Sequence, residues 1–116
     1  MKDYMLLALN EAKKAFQNNE VPIGCVIVKE DKIIAKAYNK KVKNNCAINH
    51  AEIECIKKAS KKLNNWYLEN CEMYVTLEPC MMCTGAIINS RIKTVYFGSY
   101  DRNYGALESK IDSKAP

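Results

Sequence analysis

Short apolar runs alternate with polar, lysine- and asparagine-rich stretches along the chain, and their spacing predicts the elements. Met5, Leu9, Ala12 and Phe16 recur at i, i+4, i+7 and i+11, the period of one helix face, and predict an amphipathic first helix ending near Asn18 and Asn19. Such a helix needs a sheet to cover. Pro22 and Gly24 introduce Cys25-Val26-Ile27-Val28, and Glu30-Asp31 reads as the turn into a second strand over 32–37, so a hairpin is expected. After a polar loop, a second helix starts near Asn49 or His50, with Ile53, Ile56 and Leu63 on its inner face and basic residues in its last turns. Residues 73–77 read as a buried strand, and 80–89 as a third helix with Ala86 and Ile87 inward. Pro79 suits the entry to that helix, because its missing amide hydrogen would have had no helical partner. Residues 92–97 form a last strand, ended by Gly98, whereas 105–116 has little periodicity beyond Leu107 and Ile111 and receives no element. This order predicts an α/β fold with helices layered on a mixed sheet.

A chain of 116 residues, 48% of them hydrophobic, is expected to form one domain over 1–116 with a real core and no need of a disulfide framework. Disordered and collagen-like classes are excluded. The apolar run at 4–9 is far short of the roughly 20 residues of a membrane-spanning helix. It continues as a helical stripe into Lys13 and Lys14 instead of reaching a cleavage site, so no membrane association is expected and the cytoplasm is the expected location. With 18 basic against 13 acidic residues the formal net charge is +5. Nearly all the positive charge is lysine, clustered at Lys36, Lys40, Lys41 and Lys43 and again at Lys57, Lys58, Lys61 and Lys62. Such a field suits phosphate attraction more than bidentate base reading, and a plain solvated face is the alternative.

The six cysteines do not look alike. Cys25 lies in an apolar run, Cys55 in a helical pattern, and Cys46 and Cys71 near element boundaries, while Cys80 and Cys83 stand apart at a helix start. Residues three apart on a helix lie on one face, about 300° of rotation apart, so two thiolates can grip one ion. A helix N-terminus also favours thiolate. His50, the only histidine, opens the second helix and would supply a third ligand, leaving one tetrahedral position for water, the pattern of a catalytic zinc. Other readings stay open from the residues alone. Cys80 and Cys83 can be a redox pair or two buried thiols, and Cys46 can join His50, Cys80 and Cys83 in a closed structural site. Glu52 sits about 200° round a regular helix from His50 and can simply be solvated.

His50-Ala51-Glu52 followed by Pro79-Cys80-Met81-Met82-Cys83 matches the His-x-Glu and Pro-Cys-x-x-Cys signature of zinc deaminases. The likeness extends to Glu20-Val21-Pro22-Ile23-Gly24, Asn39, Val75-Thr76-Leu77-Glu78, Gly85-Ala86, Ser90-Arg91-Ile92, Phe97-Gly98, Asp101 and Gly105-Ala106. Over 5–111 the chain resembles the bacterial tRNA-specific adenosine deaminases of the zinc-dependent cytidine and deoxycytidylate deaminase superfamily. The resemblance implies a three-layer α/β/α cytidine-deaminase-like fold with a central mixed sheet. It also implies one zinc per subunit, a homodimer, and hydrolysis of adenosine to inosine at the wobble position of a tRNA anticodon stem-loop. His50, Cys80 and Cys83 carry over as metal ligands and Glu52 as the proton shuttle. Asn39, Ile23, Asp101 and Arg91 carry over as substrate-binding positions. The chain departs from the family at Asn49 and Glu108, and it stops before the strand or helix with which members generally continue, which suggests a shortened form.

Two rival functions remain at this stage. A deaminase of a free base or nucleoside, guanine or cytosine, shares the zinc chemistry. A non-catalytic zinc-stabilised nucleic-acid-binding module belongs to another class, and intact Glu52 argues against it.

Overall fold

The structure is a computed structural model and describes residues 3–107. Helix α1 spans Tyr4–Gln17; the Asp3 side chain accepts the Leu6 N–H at 3.0 Å and so caps its first turn. Strand β1, Gly24–Lys29, pairs antiparallel with β2, Lys32–Tyr38, through a two-residue turn in which Glu30 and Asp31 have φ of 51° and 61°. That turn geometry matches the twist of the strands it joins. Helix α2, Ala51–Leu63, ends at a left-handed Asn64, and β3, Cys71–Val75, returns antiparallel to β1. Helix α3, Met81–Asn89, then crosses to β4, Thr94–Phe97, which lies parallel to β3, giving the sheet order β2-β1-β3-β4.

Because alternate residues of a strand point to opposite faces, the central strand β1 feeds two cores. Cys25 and Ile27 join Ala35, Ala37, Met73 and Val75 beneath Ala51, Cys55 and Ala59 of α2 and Ile87 of α3. Val26 and Val28 pack on the other face against Tyr4 and Ala8 of α1. The result is the expected three-layer arrangement around a mixed sheet.

The helices turn smaller faces inward than the apolar pattern predicts. In α1 the buried residues are Tyr4, Ala8, Glu11, Ala12 and Ala15, whereas Leu9 and Phe16 are 46% and 71% exposed. The true stripe is one residue, or about 100°, from the one that the large side chains mark. Close approach explains it: a Cβ at Gly24 would collide with the Ala8 carbonyl and lie 2.5 Å from the Ala12 nitrogen, so only alanines fit over β1. In α2, likewise, Ala51, Glu52, Cys55 and Ala59 are buried, while Ile56 and Leu63 pack at the margin of the core and Ile53 is half-buried.

Two strand boundaries also shift. The third strand starts at Cys71 and ends at Val75, after which the Glu78 N–H bonds the Ser99 carbonyl at 2.8 Å and the chain turns away. Strand β4 starts only at Thr94, because Arg91 takes a φ of 66° and the Ile92 N–H still closes α3 on the Ile87 carbonyl at 3.3 Å. Where no element was expected, Gly105 forms an isolated antiparallel bridge with Cys80, and Ala106 and Leu107 are buried. The positions Glu108 and Ile111 lie outside the described residues. No described helix is long and apolar enough to cross a membrane.

Candidate active site

Two helix N-termini, those of α2 and α3, meet at one end of the sheet. Their N-cap positions are held by His50 and Cys80, both in extended backbone. The His50 Nδ1 atom lies 3.7 Å from the Cys80 Sγ and 3.6 Å from the Cys83 Sγ. Zinc bonds of about 2.3 Å to sulfur and about 2.0 Å to nitrogen, set at a tetrahedral angle, require a sulfur–nitrogen separation of about 3.6 Å. The three residues therefore fit a zinc ion, with all ligand atoms within 4.8 Å of one another. Cys46 does not join the group among the described residues; its turn is closed by the Cys46 N–H on the Lys41 carbonyl at 3.0 Å. The closed four-ligand alternative is thus not formed.

The thiols share a proton unequally. The Cys83 thiol donates to Cys80 and brings it down to about 5, against the opposing effect of burial. Backbone N–H groups of Cys83 and Met82 and the His50 ring assist. Cys83 is pushed upward by the same hydrogen bond and by burial. A divalent cation bound here would release that proton and take both sulfurs as thiolates.

Glu52, the second residue of α2, is 3% exposed and its Oε1 has no hydrogen-bond partner among the described residues. Burial pushes its carboxyl up to about 7, and the nearby Cys80 thiolate adds to the rise. Its own backbone N–H and the Cys83 thiol oppose it. The 200° separation from His50 expected of a regular helix does not apply, since His50 lies outside helical φ/ψ. A buried orphan oxygen beside three convergent ligands has room in its chemistry for a cation and a proton donor.

The substrate-binding expectations divide. Asn39, 5% exposed, follows β2 and donates its N–H to the Ile23 carbonyl at 3.1 Å, so these two adjoin. From there the Lys40 N–H bonds the Asn49 carbonyl at 3.0 Å, leading directly to His50. Asp101 lies in a turn after β4, where its Oδ1 accepts the N–H groups of Asn103 and Tyr104, each at 3.1 Å. That turn is fastened beside Cys80 by the Gly105 bridge and by the Ala106 N–H on the Pro79 carbonyl at 2.9 Å. Arg91 is not brought to the ligands: it follows the far end of α3, eight residues or about 12 Å along the axis from Cys83. There it sits 6.0 Å from the Trp66 ring and lines a groove of about 1100 Å³ with Trp66, Tyr67 and Ile88.

One contributor was hidden inside a motif. Glu78 is 2% exposed, and its Oε1 accepts the Asp101 N–H at 3.2 Å. A Cβ at Gly105 would strike that same oxygen, so glycine lets the turn close on the carboxylate. The residues 75–80 were singled out together, but only the tertiary contact separates the role of Glu78 from that of its neighbours.

Comparison with known proteins agrees with this geometry. Residues 1–99 match the cytidine and deoxycytidylate deaminase zinc-binding region. The tRNA-specific adenosine deaminase of Aquifex aeolicus is 50% identical over 109 residues, covering 93% of this chain and 72% of that protein. The Bacillus subtilis tRNA-specific adenosine deaminase is 48% identical, covering 88% of this chain and 63% of that protein. The chain thus spans between 63% and 72% of the length of these curated relatives. Among solved structures, a tRNA:A34 deaminase of A-to-I editing at the wobble position superposes with a TM-score of 0.89 at 43% identity, covering 91% of this chain and 82% of that one. The guanine deaminase of Bacillus subtilis superposes with a TM-score of 0.82 at 35% identity, covering 86% and 66%. With three ligands at tetrahedral spacing, a buried carboxylate beside them and this shared sequence, the chain belongs to the zinc-dependent cytidine and deoxycytidylate deaminase family.

Proposed function

We propose that this protein hydrolyses adenosine to inosine at the wobble position of a tRNA anticodon loop. The observation that carries the reading is the unpaired, buried Glu52 Oε1 set beside His50, Cys80 and Cys83 at two convergent helix N-termini. The tRNA substrate rests on the 50% identity with a tRNA-specific adenosine deaminase.

His50, Cys80 and Cys83 would hold the zinc. When bound, zinc lowers the pKa of a coordinated water to about 7 and supplies the nucleophile at neutral pH. Glu52 moves the protons. Its carboxylate takes one from the water that adds to C6 of the adenine and passes it to N1. A second proton, from the hydroxyl now on C6, goes through Glu52 to the 6-amino nitrogen, which leaves as ammonia while C6 becomes a carbonyl. One water is consumed, and inosine and ammonia are formed. Asn39 and Ile23 adjoin at the β1–β2 end and contact the target nucleoside, with Asp101 on the opposite turn and Arg91 meeting RNA away from the reacting base. The base must leave its stack to enter, which favours a single-stranded loop over a duplex.

The reading includes a homodimer, in keeping with exposed Met81, Ile88 and Trp66, a cytoplasmic location, and one deaminase domain over 1–116. The test is one comparison with the zinc-loaded protein: an anticodon stem-loop with adenosine at the wobble position, free guanine, free cytosine and single-stranded DNA. Inosine in the stem-loop alone supports the proposal. Preferential conversion of guanine to xanthine or of cytosine to uracil replaces it with the free-base reading, and no product from any substrate refutes an enzymatic role.

A further inference from the structure

Glu20 lies just beyond α1 and is 6% exposed, although nothing in the reaction uses it. Its two carboxylate oxygens reach forward to a different part of the chain. Oε1 accepts the Val42 N–H at 2.9 Å and Oε2 accepts the Lys43 N–H at 2.7 Å. Hydrogen bonds to an ionised acceptor are roughly twice as strong as neutral ones, and a carboxylate meeting two amides fixes orientation as well as distance.

The segment so held is the turn 40–48. Among the described residues its backbone bonds otherwise stay within 40–50, among them the Asn44 N–H on the Lys40 carbonyl at 3.0 Å, the Asn45 N–H on Val42 at 3.1 Å, the Lys40 N–H on Asn49 at 3.0 Å and the Asn49 N–H on Cys46 at 3.2 Å. Glu20 is what joins the crown of the turn to the junction before β1. The turn presents Lys41, Val42, Lys43 and Ile48 to solvent. At its two ends stand Asn39 and His50. One buried acid therefore sets the shape of a basic rim whose feet are in the site, and its own charge is turned inward onto amides, away from any polyanion approaching the lysines.

We infer that Glu20 is a positioning residue for the RNA substrate, holding the turn 40–48 so that Lys41 and Lys43 meet backbone phosphates. Phosphate contacts supply affinity for a nucleic acid, so a misplaced turn weakens binding of the stem-loop. This inference rests on the proposed function. Glu20→Gln keeps the size and one acceptor oxygen but aims an N–H₂ at an amide; Glu20→Ala removes both bonds. In the zinc-loaded protein, hydrogen exchange at the Val42 and Lys43 amides should accelerate in both variants while the β1 and β3 amides stay protected. The KM for the wobble-adenosine stem-loop should rise at least about tenfold in Glu20→Gln, the loss of one charge-assisted bond. Zinc content should be unchanged and kcat within about twofold of wild type, the split expected when ground-state binding alone is lost. Should Glu20→Ala fail to fold, Glu20→Gln decides. Faster exchange with an unchanged KM overturns the inference, as does loss of zinc, which would make the clamp a support for His50 only. A wild-type protein that turns over no stem-loop refutes the proposed function instead, a result separable from either.

Discussion

Replacing Glu52 by glutamine tests whether burial, with one oxygen left unpartnered, raises its carboxyl. In the metal-free protein its carboxyl stands at about 7, against an ordinary 4.5, with burial the main cause. An acid whose folded value is raised keeps its proton in the folded state after the unfolded chain has released it. Stability therefore falls as pH rises from about 4.5 to about 7, and the loss is complete above that. That displacement, at about 1.4 kcal/mol per pH unit, sets the total near 3 kcal/mol, most of it falling between pH 5 and pH 8. Glutamine has the same shape and no charge, so it escapes this penalty; leaving its amide unpaired costs about 1 kcal/mol at every pH. With zinc chelated, the variant should match or trail the wild type at pH 5 and exceed it by about 2 kcal/mol at pH 8. Urea unfolding followed by far-ultraviolet circular dichroism at the two pH values measures this. Restoring zinc should shrink the gap, since a nearby cation favours the ionised carboxylate. In the same variant turnover should drop by about 10² to 10⁴ while zinc is retained, the usual loss on removing a general acid–base. Parallel stability curves for the two proteins from pH 5 to pH 8 would refute the reasoning about burial, and unchanged turnover would remove Glu52 from the mechanism.

Three other outcomes are expected. Cys83→Ser should lose bound zinc by metal analysis and Cys46→Ser should keep it; the reverse result would overturn the ligand assignment. Gly24→Ala should lower the melting temperature by about 10 °C, since overpacking against the α1 backbone costs about 2 kcal/mol, and a drop under about 2 °C would show that the helix can withdraw. Asp101→Asn preserves an oxygen for the Asn103 and Tyr104 amides, so the melt should be unchanged while activity on single-stranded DNA rises relative to RNA, where a ribose 2′-hydroxyl can donate to the carboxylate. Equal proportional changes on both substrates would return Asp101 to a purely turn-forming role.

Element type and order were legible in the chain itself, because periods of 3.6 and 2 and the Glu30-Asp31 turn are local signals. So was the chemistry of the ligands: a single histidine, two cysteines three apart and a proline ahead of them restrict what can bind, whatever the fold. Which faces of α1 and α2 turn inward was not legible. Large apolar side chains dominate a pattern, but Ala8, Ala12, Ala51 and Ala59 win the contact, because two backbones in close approach leave no volume for leucine, isoleucine or phenylalanine. The open three-ligand arrangement likewise needed tertiary structure. Spacing also admits Cys46 as a fourth ligand, and a regular helix would hold Glu52 and His50 apart; only the meeting of two N-termini, with His50 in extended backbone, puts the three ligands at zinc spacing and Glu52 beside them. Glu20 and Glu78 were visible as residues in a motif and silent as to role, because their partners lie 22 and 23 positions away and no local period connects a carboxylate to the amides it will hold.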